Sequence, residues 1–202
     1  MQYLLLGLLG MFFLGKKHQE NSGSESFNVP VERKKSFLET ITFIPSPNFA
    51  KKDNRKIDKI IIHITQGSFA SAIGWFKMKS SSVSAHFLVS QAGEVVQMVK
   101  IKDVAWHAKP WNTRSIGIEH EGFYNYHGKT TNFTKEQYKA SADLVRELAL
   151  KYNIPLDRKH IIGHREVPGV TKTCPGYNWD WDYYMNLLNK RNVAWQNQKI
   201  KV

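Results

Sequence analysis

Apolar residues run almost without a break through "KIIIHIT", Lys59 to Thr65, and the length and isoleucine content of that run predict a β-strand covered on both faces. The period then changes. "SFASAIGWFKM" predicts a short helix with Ser68 as its N-cap, and "AHFLVSQAGEVVQMV" predicts a hairpin turning at Ala92-Gly93. "RSIGIEHEG" reads as a further strand. "TKEQYKASADLVRELALKYN" reads as a long amphipathic helix capped by Thr134, and a last helix is expected near "WDWDYYMNLLNK". Strands interleaved with helices on this scale predict the α/β class, a single mixed β-sheet flanked by helices. No internal repeat is visible.

The two ends of the chain follow a different pattern. Residues 1–15 carry an apolar run from Tyr3 to Leu14, followed by Lys16 and Lys17, which reads as a signal-like or short anchor segment. As a helix that run would reach roughly 18 Å, short of a hydrocarbon core of about 30 Å, so a stable span is not expected. A basic start and an A-x-A site are both missing, and no cysteine is present there to anchor a lipid. Residues 16–44 are polar and then punctuated by proline, as in a linker. A folded domain is expected over 45–190 and a basic tail over 191–202. This organisation predicts an exported or envelope-associated protein, with membrane contact through residues 3–14.

The chain has 202 residues, 42% of them hydrophobic, enough for one domain with its own core, and a monomer is expected. The formal charge is +12, yet residues 1 to 50 hold five Lys/Arg against four Glu. The excess therefore belongs mostly to the domain. A basic surface suits polyanions, whether nucleic acid, anionic lipid or wall polymer, and charge does not choose among them.

Eight histidines and one cysteine carry the candidate chemistry. His18 and His127 lie in polar loops, where solvation is expected. His160 and His164 stand four apart, but Gly163 and Pro168 argue against a helix that would pair them as ligands. His63 stands near the end of the most apolar strand, where a sheet can open onto a cleft. A hydrogen-bonded core histidine is the plainer reading of it. His164 ends the short apolar run "HIIGH", and Cys174 sits in a loop tightened by Gly169 and Pro175. A lone cysteine cannot form an internal disulfide, so burial, reactivity or metal ligation must account for it. Two imidazoles and a thiolate would make a three-ligand zinc set with a fourth position open. A zinc finger is excluded, because no C-x-x-C is present.

"IIIHIT", "SAHFLVSQAGEVVQMV", "DVAWHA", "NTRSIGIEHEG" and "GHREVPGVTKTCPG" follow one another in the order and spacing of zinc-dependent N-acetylmuramoyl-L-alanine amidases of type 2. The chain resembles that superfamily, which includes the peptidoglycan recognition proteins, from about Pro45 to Leu188. The resemblance implies a peptidoglycan recognition protein-like amidase fold and one Zn2+ per chain on His63, His164 and Cys174. It implies hydrolysis of the amide between N-acetylmuramic acid and L-alanine of the stem peptide, with peptidoglycan or a muropeptide as substrate.

In that superfamily the proton carrier is either a tyrosine just before the "HF" histidine or a glutamate at the end of "SIGIE". Ala85 occupies the first position here and Glu119 the second, so the resemblance makes Glu119 and Lys172 the catalytic pair. Substrate contacts would come from His86, His107, Asn112 and Arg114, with Trp106 and Trp111 available to stack on sugar rings. His120, on the opposite strand face from Glu119, is expected to be structural. Two other classes stand beside this reading. One is a non-catalytic peptidoglycan-binding recognition module, against which the intact ligand set, Glu119 and Lys172 weigh. The other is a nucleic-acid binder, for which no motif is present.

Overall fold

The computed structural model describes residues 35–190, and the expectations for residues 1–15 and 191–202 lie outside them. In chain order the elements are α1 (Phe37–Thr40), β1 (Thr42–Phe43), β2 (Phe49–Ala50), β3 (Lys59–Ile64), α2 (Phe69–Lys77), β4 (Phe87–Val89), β5 (Val95–Gln97), β6 (Val104–Ala105), β7 (Ser115–His120), α3 (Lys135–Tyr152), β8 (Ile161–Gly163) and α4 (Trp181–Asn189). Six strands form one mixed sheet in the order β1-β5-β4-β7-β3-β8, and β2 pairs with β6 in a separate two-stranded ribbon. Strand β3 is interior, parallel to β7 on one side and to the edge strand β8 on the other. The β4–β5 hairpin contributes the antiparallel pair, closed by Gly93 N donating to Ser90 O.

Alternation along the central strands decides which chemistry faces which layer. Ile60 and Ile62 of β3, with Ile116 and Ile118 of β7, point into a core shared with α3 and α4. Helix α3 meets it with Tyr138, Ala142, Val145 and Ala149, the spacing of one helical face, and Leu144 and Leu148 lie beside them. Ile61 faces the other way, into a smaller cluster with Ile162 of β8 and with Ala108 and Val167 supplied by loops. Each fully buried isoleucine contributes on the order of 1.5–3 kcal/mol, so strand β3 is anchored from both sides.

Caps hold the helices where this packing needs them. The Thr134 side chain accepts from Gln137 N at 3.1 Å, and Asp180 accepts from Tyr183 N at 2.8 Å. Residues 36–43, inside the segment expected to be linker, instead belong to the domain. Glu147 on α3 accepts from Phe37 N and Leu38 N at 2.8 and 3.1 Å, and β1 extends the sheet edge parallel to β5. The brevity of these elements hid that, because a four-residue helix and a two-residue strand are too short to leave a period. Among the described residues no helix is long and apolar enough to cross a membrane.

Candidate metal centre

His63 and Glu119 are cross-strand partners in the β3–β7 register, and both sit at the C-terminal ends of their strands. Since β3 and β7 are parallel, their alternation runs in step, and both side chains emerge on the loop-covered face. His164 follows directly on β8, the other neighbour of β3, where the chain turns into a short 3-10 segment. Cys174 arrives from the loop beyond, tied back by Arg165 N donating to Cys174 O at 3.0 Å. That loop approaches closely because residue 163 is glycine. A Cβ there would lie 2.7 Å from Pro175 Cδ.

The three ligand atoms converge within 4.8 Å of one another. Cys174 Sγ lies 3.6 Å from His63 Nδ1 and 3.4 Å from His164 Nδ1. Zinc–sulfur and zinc–nitrogen bonds of about 2.3 and 2.0–2.1 Å at a tetrahedral angle require a sulfur–nitrogen edge of about 3.5–3.6 Å. The donor types suit zinc, and both sulfur–nitrogen edges match a tetrahedral site.

The electrostatics point the same way. Burial lowers the His63 pKa well below its usual range, with help from His107 and His164, and burial followed by the Lys172 charge brings His164 down to about 4. Both imidazoles are neutral and hold a lone pair for a cation. Burial, reinforced by Glu119, pushes the Cys174 thiol up to about 12, and burial pushes the Glu119 carboxyl up to about 8. Glu119 Oε1 lies 3.9 Å from His63 Nδ1, while its Oε2 is buried with no hydrogen-bond partner. A thiol and a carboxyl that hold their protons this tightly beside two neutral imidazoles form a pocket short of positive charge. A bound cation would supply it and displace the protons.

The cluster opens into a groove of about 630 Å³ walled by Trp75, Val83, Trp106 and Tyr126, with Glu119 and Lys172 in its lining. A second recess of about 350 Å³ adjoins it and includes His107, Asn112 and Lys172. Thus the structure brings His63, His164, Cys174, Glu119, Lys172 and His107 together.

Two of the expected substrate contacts lie elsewhere. His86 is wholly buried, its Nδ1 accepting from Gly117 N at 3.1 Å and its Nε2 lying 3.1 Å from an Arg55 Nη1, so it supports the floor from beneath. Arg114 is committed to a forked pair with Asp58 and lies against the Trp111 ring, outside the lining of either recess. Its place in a 3-10 turn before β7 directs it to the far end of the strand from Glu119. Asn112 lines the second recess, but its Oδ1 is occupied by His107 N and Ala108 N at 3.0 and 2.6 Å. His120 takes the other face, as expected, bonding His63 O and Ser141 Oγ. Trp75 and Tyr126, exposed at 51% and 46%, were not anticipated. An aromatic residue on the outer face of the helix in "SFASAIGWFKM" was the signal available for the first.

This sheet, with two histidines at the ends of β3 and β8, a cysteine from the following loop and a glutamate at the end of β7, defines a class, and comparison identifies it. The family model described as N-acetylmuramoyl-L-alanine amidase matches residues 53–177, and the chain belongs to that family. It is 31% identical over 162 residues to N-acetylmuramoyl-L-alanine amidase A of Achromobacter lyticus, covering 71% of this chain and 89% of that protein. It is 36% identical over 119 residues to the 1,6-anhydro-N-acetylmuramyl-L-alanine amidase AmpD of Escherichia coli K12, covering 55% and 61%. Among solved structures, a selenomethionine AmpD derivative superposes with a TM-score of 0.61 at 25% identity over 73% of this chain and 94% of that one. The E. coli amidase AmiD, solved with an anhydro-muramyl tripeptide substrate, shares the fold at 22% identity, with a TM-score of 0.58 over 69% and 65%.

Proposed function

We propose that the chain hydrolyses the amide bond between N-acetylmuramic acid and L-alanine in peptidoglycan, with one zinc ion held by His63 Nδ1, His164 Nδ1 and Cys174 Sγ. The observation that carries this reading is the convergence of two imidazoles and a thiol, with sulfur–nitrogen edges of tetrahedral length, onto a groove beside an unpaired buried carboxyl. A zinc ion there supplies Lewis-acid polarisation of the scissile carbonyl and acidification of water.

The residues of the chain divide the remaining work. Glu119 takes the proton of the attacking water and returns it to the leaving amine. Its burial places its proton affinity near neutrality, and a neighbouring divalent charge favours its ionised form, which is the base. Lys172, exposed at the groove and close enough to lower the His164 pKa, directs its ammonium at the oxyanion that develops on the carbonyl. Trp75, Trp106 and Tyr126 provide flat walls for sugar or peptide and exclude water from the reacting bond. The domain acts as a monomer on its substrate, and the basic surface favours the anionic wall. Residues 1–15 export or anchor it, so that the substrate and enzyme share the envelope compartment.

Purified protein incubated with sacculi should release stem peptides with free L-alanine amino termini and contain about one zinc per chain. Sacculi that are bound but uncut would establish a recognition module instead. Deleting residues 1–25 should leave the domain folded and active while removing it from the envelope fraction of expressing cells.

A further inference from the structure

A chain of hydrogen bonds leads away from the His63 ring on the side opposite the proposed ligand atom, and its proton positions are determined by its far end. Ser115 Oγ lies 2.6 Å from the carbonyl oxygen of Trp111, which can only accept, so the single hydroxyl proton goes there. The Ser115 oxygen is then the acceptor for His107 Nε2 at 3.2 Å, and the His107 ring proton sits on Nε2. His107 Nδ1 is left as a lone pair 3.0 Å from His63 Nε2, which must donate to it. One proton per ring then leaves His63 Nδ1 bare, and that is the nitrogen facing Cys174 Sγ.

We propose that His107 is a positioning residue that holds His63 in the tautomer and ring plane needed to present Nδ1 to a metal ion. The proposal rests on the zinc reading and adds to it the origin of the ligand's orientation. His107 was expected to touch substrate, and a share of its ring does reach the groove. Both of its ring nitrogens, however, are committed to protein partners.

Its seat is built for the ring. A Cβ on residue 117 would lie 2.5 Å from His107 Nδ1 and 2.6 Å from Cγ, so only glycine at that point of β7 admits the imidazole. The ring meets His63 edge to face, with an interplanar angle of 81° and centroids 5.1 Å apart. Asn112 pins the backbone beneath it, its side-chain oxygen accepting from both His107 N and Ala108 N. A His107 turned over, with its proton on Nδ1, would set two donors against each other at 3.0 Å or force His63 to move its proton to the ligand nitrogen.

Ring 15N spectra of zinc-free, histidine-labelled protein should show His63 and His107 both protonated on Nε2. Zinc affinity from chelator competition should fall about 10–100-fold in His107→Leu, the range typical of lost partners behind a metal ligand. His107→Asn, whose side-chain oxygen can accept the same His63 proton, should recover most of that loss. Thermal melts separate a misfolded variant from a mistuned one, and should His107→Leu unfold, Ser115→Ala removes only the distal acceptor and should weaken zinc several-fold. A His63 proton on Nδ1 in the zinc-free protein overturns the proposal. So does unchanged zinc affinity in a folded His107→Leu. If the wild type itself binds no zinc, the metal reading fails instead, and the tautomer measurement still decides the role of His107.

Discussion

His63 and His120 occupy nearly equivalent places, two buried imidazoles at the C-terminal ends of adjacent parallel strands, joined by a 3.0 Å bond from one ring to the other's carbonyl. Their environments differ in one respect. On the helix face, His120 has both ring nitrogens satisfied, by His63 O and by Ser141 Oγ at 2.8 Å, and Ser141 in turn meets Tyr184. On the loop face, one nitrogen of His63 is held by His107 while the other meets only a thiol and a carboxylate oxygen at 3.9 Å. Burial alone therefore does not distinguish a structural histidine from a ligand. A buried nitrogen left without a conventional partner does.

The largest break in that comparison comes from removing the ligand. His63→Ala should abolish zinc binding and lower turnover at least about a thousandfold, and prolonged chelation of the wild type should match it, while the far-ultraviolet spectrum stays native. Full activity in exhaustively chelated protein would sink the metal mechanism. Next, Glu119→Gln should cost on the order of a hundred- to ten-thousandfold in turnover at unchanged zinc content. Lys172→Ala should lose about a hundredfold, also with zinc retained, and wild-type rates in either variant would remove that residue from the chemistry.

His120→Ala should do the reverse, leaving zinc stoichiometry intact while lowering stability by roughly 2–4 kcal/mol, because Ser141 and Tyr184 lose a buried partner beside a new cavity. Urea titration reads the stability and metal analysis the stoichiometry. The gentlest test is pH. Burial holds His120 at about 4 when folded, against about 6.5 when unfolded, so the unfolded chain binds more protons between these values. This contribution to stability is complete above about pH 6.5 and is lost as the pH falls toward 4. A His120→Gln variant should show a correspondingly flatter fall in Tm over that window, and parallel curves would assign the slope to other groups.

Much of the sheet was legible because its strands announce themselves. An uninterrupted isoleucine run can be satisfied only by burial on both faces, and the period of α3 and the caps Ser68 and Thr134 mark helices without reference to anything distant. The resemblance of five spaced motifs then pointed to His63, His164 and Cys174, and the structure brings all three within reach of one ion. His86 and Arg114 line neither recess, because a motif names a residue without saying which way it points. His86 lies in the layer below the groove, and Arg114 found Asp58, 56 positions earlier in the chain.

The sequence by itself determined the class of fold, the order of its longer elements and the inventory of donors, since these follow from local periodicity, capping and residue chemistry. Only the tertiary structure decided which nitrogen of His63 is free. That choice depends on a serine 52 positions away, a carbonyl at Trp111 and the missing side chain of Gly117, brought to one point by the register of two parallel strands. A pairing between strands so far apart in the chain leaves no trace in local pattern, because the energy that selects it arises only when the sheet has closed.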